Sequence, residues 1–235
     1  MPATPNRRER LRAATIGEIH AVARRLLVQE GAGAVTLRAI SRDMGMTAPA
    51  LYRYYPSLDD LLHGLYATFY DESRQHVETT IEAAPGGPGA RMFIACRALR
   101  AWSIDHPAEF TAMFASRASV KPGGAAPEPG LHAAGMRFAD TFLRLFVDLW
   151  QHDGIVTPPD ADVPPPLAAQ LTAFLTQHHV PLPVGAMHAF VSAWVRLFGM
   201  IALEVFGYLH FCLTDSQAMF EAELAAIGRQ LGLEP

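Results

Sequence analysis

Cysteine is scarce in this chain: Cys96 and Cys212 stand alone among 235 residues, with no CxxC pair. That argues against a disulfide framework and predicts two buried free thiols in a reducing compartment, the cytoplasm. No uninterrupted membrane span is present either. The most apolar run, AMHAFVSAWVRLFGMIALEVFGYLHF, is broken by His188, Arg196 and Glu204, which suits a buried helix with a charged seam. The N-terminal MPATPNRRERLRAA is rich in arginine but has no apolar stretch of the secretory kind. Catalytic signatures are missing as well: there is no HExxH, no GxSxG, no phosphate loop and no dinucleotide fingerprint. His178 and His179 are adjacent, a poor spacing for two ligands from one helix face, while His106 and His210 stand alone. His188 and Ser192 share a helical face, yet nothing supplies a third group or an oxyanion hole. No catalytic residue, metal site or cofactor is therefore expected, and the chain reads as a non-enzyme.

Lysine is absent from residues 1–54, yet that stretch is the cationic part of the protein. It holds nine arginines against Glu9, Glu18, Glu30 and Asp43, a net +5, whereas the remainder carries −9 of the overall −4. A cationic end on an anionic body suits a protein that presents one face to a polyanion. Prolines and glycines gather near 85–89, 122–130, 154–166 and 181–185, leaving long intervals with helical periodicity. The expected class is all-α: an N-terminal unit of about three helices over 8–56, a connecting helix over 57–84, and a larger helical domain over 85–231. Within the last, helices are expected near 90–104, from Pro107, and over 131–152, 165–179, 184–212 and 215–231, with KPGGAAPEPG as a loop.

The densest signals lie in TLRAISRDMGMTAPALYRYYPSLDDLL, residues 36–62. A first helix, with Leu11, Ile16, Ile19, Ala23, Leu26 and Leu27 in one stripe, ends at Gly31 and Gly33. Thr36 can cap a second helix carrying Leu37, Ile40 and Met44, and Gly45–Met46 break it. Thr47 can cap a third, with Pro49 in its first turn, where a missing N–H costs nothing. Ser57 with Asp60 forms a capping pattern for a fourth, lined by Leu58, Leu61, Leu62, Leu65 and Phe69. Two short helices joined by a tight Gly-containing turn make a helix-turn-helix, whose second helix enters the major groove of DNA. Arg38, Thr47, Ala48, Pro49, Ala50, Tyr52, Arg53 and Tyr54 are then the DNA-facing positions. Hydroxyls of Tyr52 and Tyr54 can reach phosphate oxygens, Arg53 a base edge or the backbone, while Tyr55 packs against the bracing helix. So small a reading unit needs a two-fold dimer on a palindromic site.

These residues, with the preceding ATIGEIHAVARRLLVQEGAGA, resemble the N-terminal DNA-binding domain of the TetR/AcrR family over about residues 10–62. The family usually places a phosphate-touching lysine after the serine of the last motif, where this chain has Leu58, and a histidine where it has Tyr54. Residues 85–220 resemble a subgroup with a Trp-His-Gly signature. AWVRLFGMIALEVFG keeps Trp194 and Gly199 but has Phe198 in the histidine position. The resemblance implies a ligand-responsive transcriptional regulator, a C-terminal domain enclosing an inducer pocket, and dimerisation through the last two long helices.

Read for its own chemistry, the C-terminal half offers bulk for such a pocket. Phe93, Trp102, Phe110, Met113, Phe114, Phe142, Phe146 and Trp150 are the expected apolar lining, with Arg97, His106 and Arg137 as polar neighbours. The implied effector is small and mostly apolar. Gly199 and Gly207, read as lying on one face of a long helix with Ala202, mark a close helix approach. Trp194, Phe198 and Phe206 would surround that dimer interface. The expectation is thus a homodimeric repressor that binds double-stranded DNA and no membrane. Two alternatives stay open: a helical small-molecule-binding protein or enzyme with a basic end, and a DNA-binding dimer without a ligand response.

Overall fold

The computed structural model describes residues 6–118, 129–152 and 154–233, without the side chains of 114–118. Every regular element among the described residues is helical. In order they are α1 (Arg7–Glu30), α2 (Leu37–Asp43), α3 (Ala48–Tyr52), α4 (Leu58–Glu82), α5 (Pro88–Asp105), α6 (Pro107–Ala118), α7 (Pro129–His152), α8 (Pro165–His178), α9 (Val184–Val205) and α10 (Gln217–Gln230). Single 3-10 turns occur at Ala32–Ala34 and Asp160–Asp162. The all-α expectation therefore holds. Of the proline-glycine segment expected as a loop, 121–128 lie outside the described residues, and Pro129 and Gly130 open α7.

The N-terminal helices begin and end where their local chemistry dictates. Asn6 caps α1 by accepting from Glu9 N at 2.9 Å, while the Glu9 carboxylate accepts from Asn6 N at 2.8 Å. Thr36 caps α2 by accepting from Ala39 N. Gly45 then turns the chain at φ +63°, a left-handed conformation that costs glycine nothing, and Met46 N donates to Ser41 O. Ser57 accepts from Asp60 N at 3.1 Å, which starts α4.

The chain separates into two compact units, Met1–Glu72 with His106–Gly135, and Ser73–Asp105 with Met136–Pro235. The division falls within α4 and α7, so each unit takes a segment of both. In the first unit, Ile19, Ala23, Ile40, Leu51, Leu61 and Phe69 are fully buried and belong to its core. The stripe on α1 is shorter than its periodicity predicts: Leu11 is 60% exposed, so the first turns of α1 stand out from the core. Arg24 on α1 ties the unit together. Its Nε meets Glu109 of α6 at 2.7 Å, its Nη1 meets Glu72 of α4 at 2.8 Å, and its guanidinium lies over the Phe69 ring. Burial pulls the Arg24 pKa down, but the two carboxylates outweigh it and hold the cation.

In the second unit, α9 is long and apolar enough by composition to cross a membrane, and its charged seam shows how it is held instead. Arg196 meets Glu223 and Gln230 of α10, and Glu204 meets Arg100 of α5 at 2.6 Å. Gly185 lets the start of α9 touch the preceding loop. A Cβ there would lie 1.9 Å from Pro158 O, and Gly185 N donates to Asp160 Oδ1 at 2.7 Å. The helix stops at Val205, short of the expected residue 212, because the chain leaves it at Phe206 into a run of turns. Gly207, at φ +74°, belongs to those turns and shares no helix face with Gly199.

Candidate nucleic-acid interface and apolar cavity

The five residues of α3 divide cleanly between core and surface. Leu51 is wholly buried, whereas Thr47, Ala48, Pro49, Tyr52 and Arg53 are exposed and Ala50 and Tyr54 half-buried. Arg38 is exposed at the start of α2. Thr47 occupies the N-cap position of α3 but makes no capping bond through its side chain, which differs from its expected double duty. Pro49 sits within the first turn. Leu58, at the first position of α4, is half-buried.

Two α1 residues that the sequence reading passed over hold the far end of α3. Arg12 places its guanidinium 5.2 Å from the centre of the Tyr54 ring and donates to Arg53 O at 3.4 Å. His20 Nε2 and the Tyr55 hydroxyl are 2.6 Å apart, with their rings stacked at 5.7 Å. Burial lowers the His20 pKa, which keeps the imidazole neutral and able to accept from the phenol. The Tyr55 pKa is raised, also by burial, with Arg12 opposing. Tyr55 thus packs against α1, whereas its spacing predicts the bracing helix α2, and its hydroxyl is the clue to His20: a half-buried phenol needs a partner. Which helix supplies that partner has no local signature, since the two residues are 35 positions apart.

An apolar cavity of about 50 Å³ lies in the second unit between α5, α7, α9 and α10. Phe93, Phe142 and Phe146 line it, as expected from sequence, together with Met92, Cys96, Phe190, Trp194, Leu197, Phe198 and Gly228. The other expected lining residues lie elsewhere. Arg97 is exposed and engaged by Glu221 of α10 in a bidentate pair, 3.0 Å from Nε and 2.7 Å from Nη2, because that carboxylate answers its charge. His106, Phe110 and Met113 belong to the first unit, Trp102 is packed in the core of the second, and Trp150 packs with Leu143, Phe146 and their neighbours without reaching the cavity. The side chain of Phe114 lies outside the described residues. Arg137 lines a separate outer hollow of about 310 Å³. Trp194 and Phe198, expected at a dimer interface, face the cavity, with their rings stacked at 5.0 Å. Ala202 is buried and Gly199 half-buried, while Phe206 is exposed. Cys96 is buried, as expected, and burial pushes its thiol up to about 12, so it is a packing group and no nucleophile. Cys212, also expected to be buried, is instead exposed in the turns after α9.

Residues 19–65 match the family described as bacterial regulatory proteins of the tetR family, and residues 92–227 match the tetracyclin repressor-like C-terminal domain. The chain belongs to the TetR family. Its regulators are transcription factors, not enzymes, and the helix-turn-helix described above is their DNA-binding element. Among curated relatives, the HTH-type transcriptional regulator Rv1816 of Mycobacterium tuberculosis (strain ATCC 25618 / H37Rv) is 29% identical over 208 residues, 85% of each chain. The HTH-type transcriptional regulator Mb1846 of Mycobacterium bovis matches to the same extent. A solved structure of the candidate regulatory protein SCO4313 aligns with TM-score 0.69 at 29% identity, covering 95% of this chain and 98% of that one. A TetR family transcription regulator from Marinobacter aquaeolei VT8 shares the fold at TM-score 0.61 and 16% identity, covering 94% and 98%.

Proposed function

We propose that this TetR-family regulator is a cytoplasmic, homodimeric repressor that binds a palindromic operator and is released by a small, mostly apolar effector. The observation that carries the reading is that Arg38, Thr47, Ala48, Pro49, Tyr52 and Arg53, on and beside two short helices in the cationic part of the chain, are all exposed. Tyr52 and Thr47 offer hydroxyls to phosphates, and Arg53 offers a guanidinium to a base edge or the backbone. Two copies spaced about 34–36 Å apart would meet successive major grooves.

A second copy has a suitable surface on and after α9. Val195 is 64% exposed, Leu203 45%, Phe206 37%, Tyr208 68% and Phe211 85%, and the half-buried Gly199 stands between Val195 and Leu203 in α9. So much exposed apolar bulk on one helix and its following turns favours an isologous interface. This revises the expected set: Gly199 and Phe206 stay, while Trp194 and Phe198 are assigned to the cavity. Effector binding in the apolar cavity would favour a dimer whose reading helices no longer match both grooves. The shift is limited by the effector's differential affinity for the two states.

Selection of genomic fragments by the purified protein, including its own upstream region, tests the DNA-binding claim. Affinity for the selected operator should fall steeply with salt, because arginines displace counterions from phosphates. A salt-insensitive interaction, or no selected duplex at all, would refute it. The small volume of the cavity favours one alternative, a DNA-binding dimer without a ligand response. Screening apolar compounds for release from the operator separates the two.

A further inference from the structure

Two hollows in the second unit share a wall. Phe190 of α9 lines both the inner cavity of about 50 Å³ and the outer hollow of about 310 Å³. The inner one is bounded by hydrocarbon, aromatic rings and the protonated Cys96 thiol, so it offers a ligand no charged partner. The outer one has an apolar floor that includes Met136, Leu143 and Met187, and a polar rim of Arg137, Asp140 and His178. Asp140 is 3.0 Å from Arg144 on the same helix, so its negative charge is already answered. His178 is exposed and holds its ring against Phe174 at 4.5 Å. A guanidinium has five N–H donors, so Arg137 can serve a bound carboxylate together with any partner in the protein.

The two hollows also have a common axis. Arg137 stands on the outer rim, and Phe142 and Phe146 line the inner cavity further along the same helix, about 13 Å of helical rise from Arg137 to Phe146 at ~1.5 Å per residue. A ligand lying along α7 would therefore have a polar end and an apolar end. The Phe190 ring meets Phe146 edge-on at 5.4 Å and is half-buried, which leaves it a face toward the outer hollow. The inner cavity is well below the ~150 Å³ that admits benzene. Entry of a chain thus requires the Phe190 ring to turn aside.

Building on the ligand-responsive reading above, we propose that the effector is a medium-chain carboxylic acid, its carboxylate held at Arg137 and His178 and its chain passing Phe190 into the inner cavity. An alkylammonium would face Arg137 with Asp140 already paired. A short acid would leave the inner cavity unfilled, and a plain alkane would leave the rim unused.

The test is calorimetric titration of the full chain, without DNA, with decanoate, decanol, decylammonium and acetate. Decanoate should bind about tenfold or more tightly than decylammonium, as one charge-assisted contact warrants, and acetate should not bind measurably. Arg137→Gln, at an exposed position and checked by its melting curve, should weaken decanoate about tenfold and leave decanol within about twofold of the parent. Phe190→Trp, a bulkier wall, should weaken both long-chain ligands. Equal affinity for decylammonium, indifference to Arg137→Gln, equal binding of acetate, or no binding of decanoate would each overturn the assignment. Binding with the expected selectivity but without release from the operator would sustain the ligand assignment and refute the ligand-responsive reading. Release by neutral compounds, with no head-group preference, would do the reverse.

Discussion

Tyrosines 52, 54 and 55 occupy four consecutive positions with Arg53, and their surroundings differ: Tyr52 is exposed, Tyr54 lies under Arg12, and Tyr55 meets His20. Tyr52 is half in solvent and its hydroxyl is suited to phosphate. Tyr52→Phe should lower operator affinity by about 1.5 kcal/mol, roughly tenfold, with the preferred sequence unchanged in a competition assay. An altered sequence preference would show that Tyr52 reads bases. Tyr55 acts inward through His20, whose pKa burial lowers. A base depressed in the folded state contributes stability that is present above its unfolded value near ~6.5 and is lost as pH falls. Chemical denaturation between pH 8 and 5 should therefore show the parent losing stability below about 6.5, and His20→Gln should remove that part of the slope. An unchanged slope would mean that His20 is as readily protonated in the folded chain as in the unfolded one.

Among the elements, α9 carries the greatest number of competing demands. Its first residues meet the 158–160 loop, its inner face lines the cavity, its charges pair with α5 and α10, and its outer face is left exposed. Gly185→Ala would force a methyl group against the backbone oxygen of Pro158. It should cost about 1–3 kcal/mol as an overpacked site, read as a lower denaturation midpoint with an unchanged slope. Gly199 is the contrasting case, since a Cβ there would meet nothing within 4 Å inside the subunit. Gly199→Leu should leave the fold intact by circular dichroism and disrupt the dimer in sedimentation. A dimer of unchanged affinity would remove this face of α9 from the interface.

For the whole molecule, the helix-turn-helix was legible in sequence, and the reason is local. Thr36, Gly45, Pro49 and the Ser57–Asp60 pair each set the backbone through contacts within a few residues. The exposure of Arg38, Thr47, Pro49 and Tyr52 follows from those stops and starts. The cavity was only partly legible. Phe93, Phe142 and Phe146 were anticipated as bulky residues on central helices, but so were Trp102 and Trp150, which pack into the core. A helical stripe says which face of a helix is buried, and it cannot say whether the neighbour across that face leaves a gap.

What the sequence by itself determined was the helical class, the helix-turn-helix and its cationic setting, because period, caps and charge are properties of short segments. Tertiary structure alone decided that His20 supports Tyr55, that Arg97 is taken by Glu221, and that Trp194 and Phe198 turn toward a cavity. It also ended α9 at Val205 and moved Gly207 into a turn. These outcomes depend on pairs of residues 35 to 124 positions apart or on the volume left between four helices. Such quantities come into existence only when distant side chains compete for the same space.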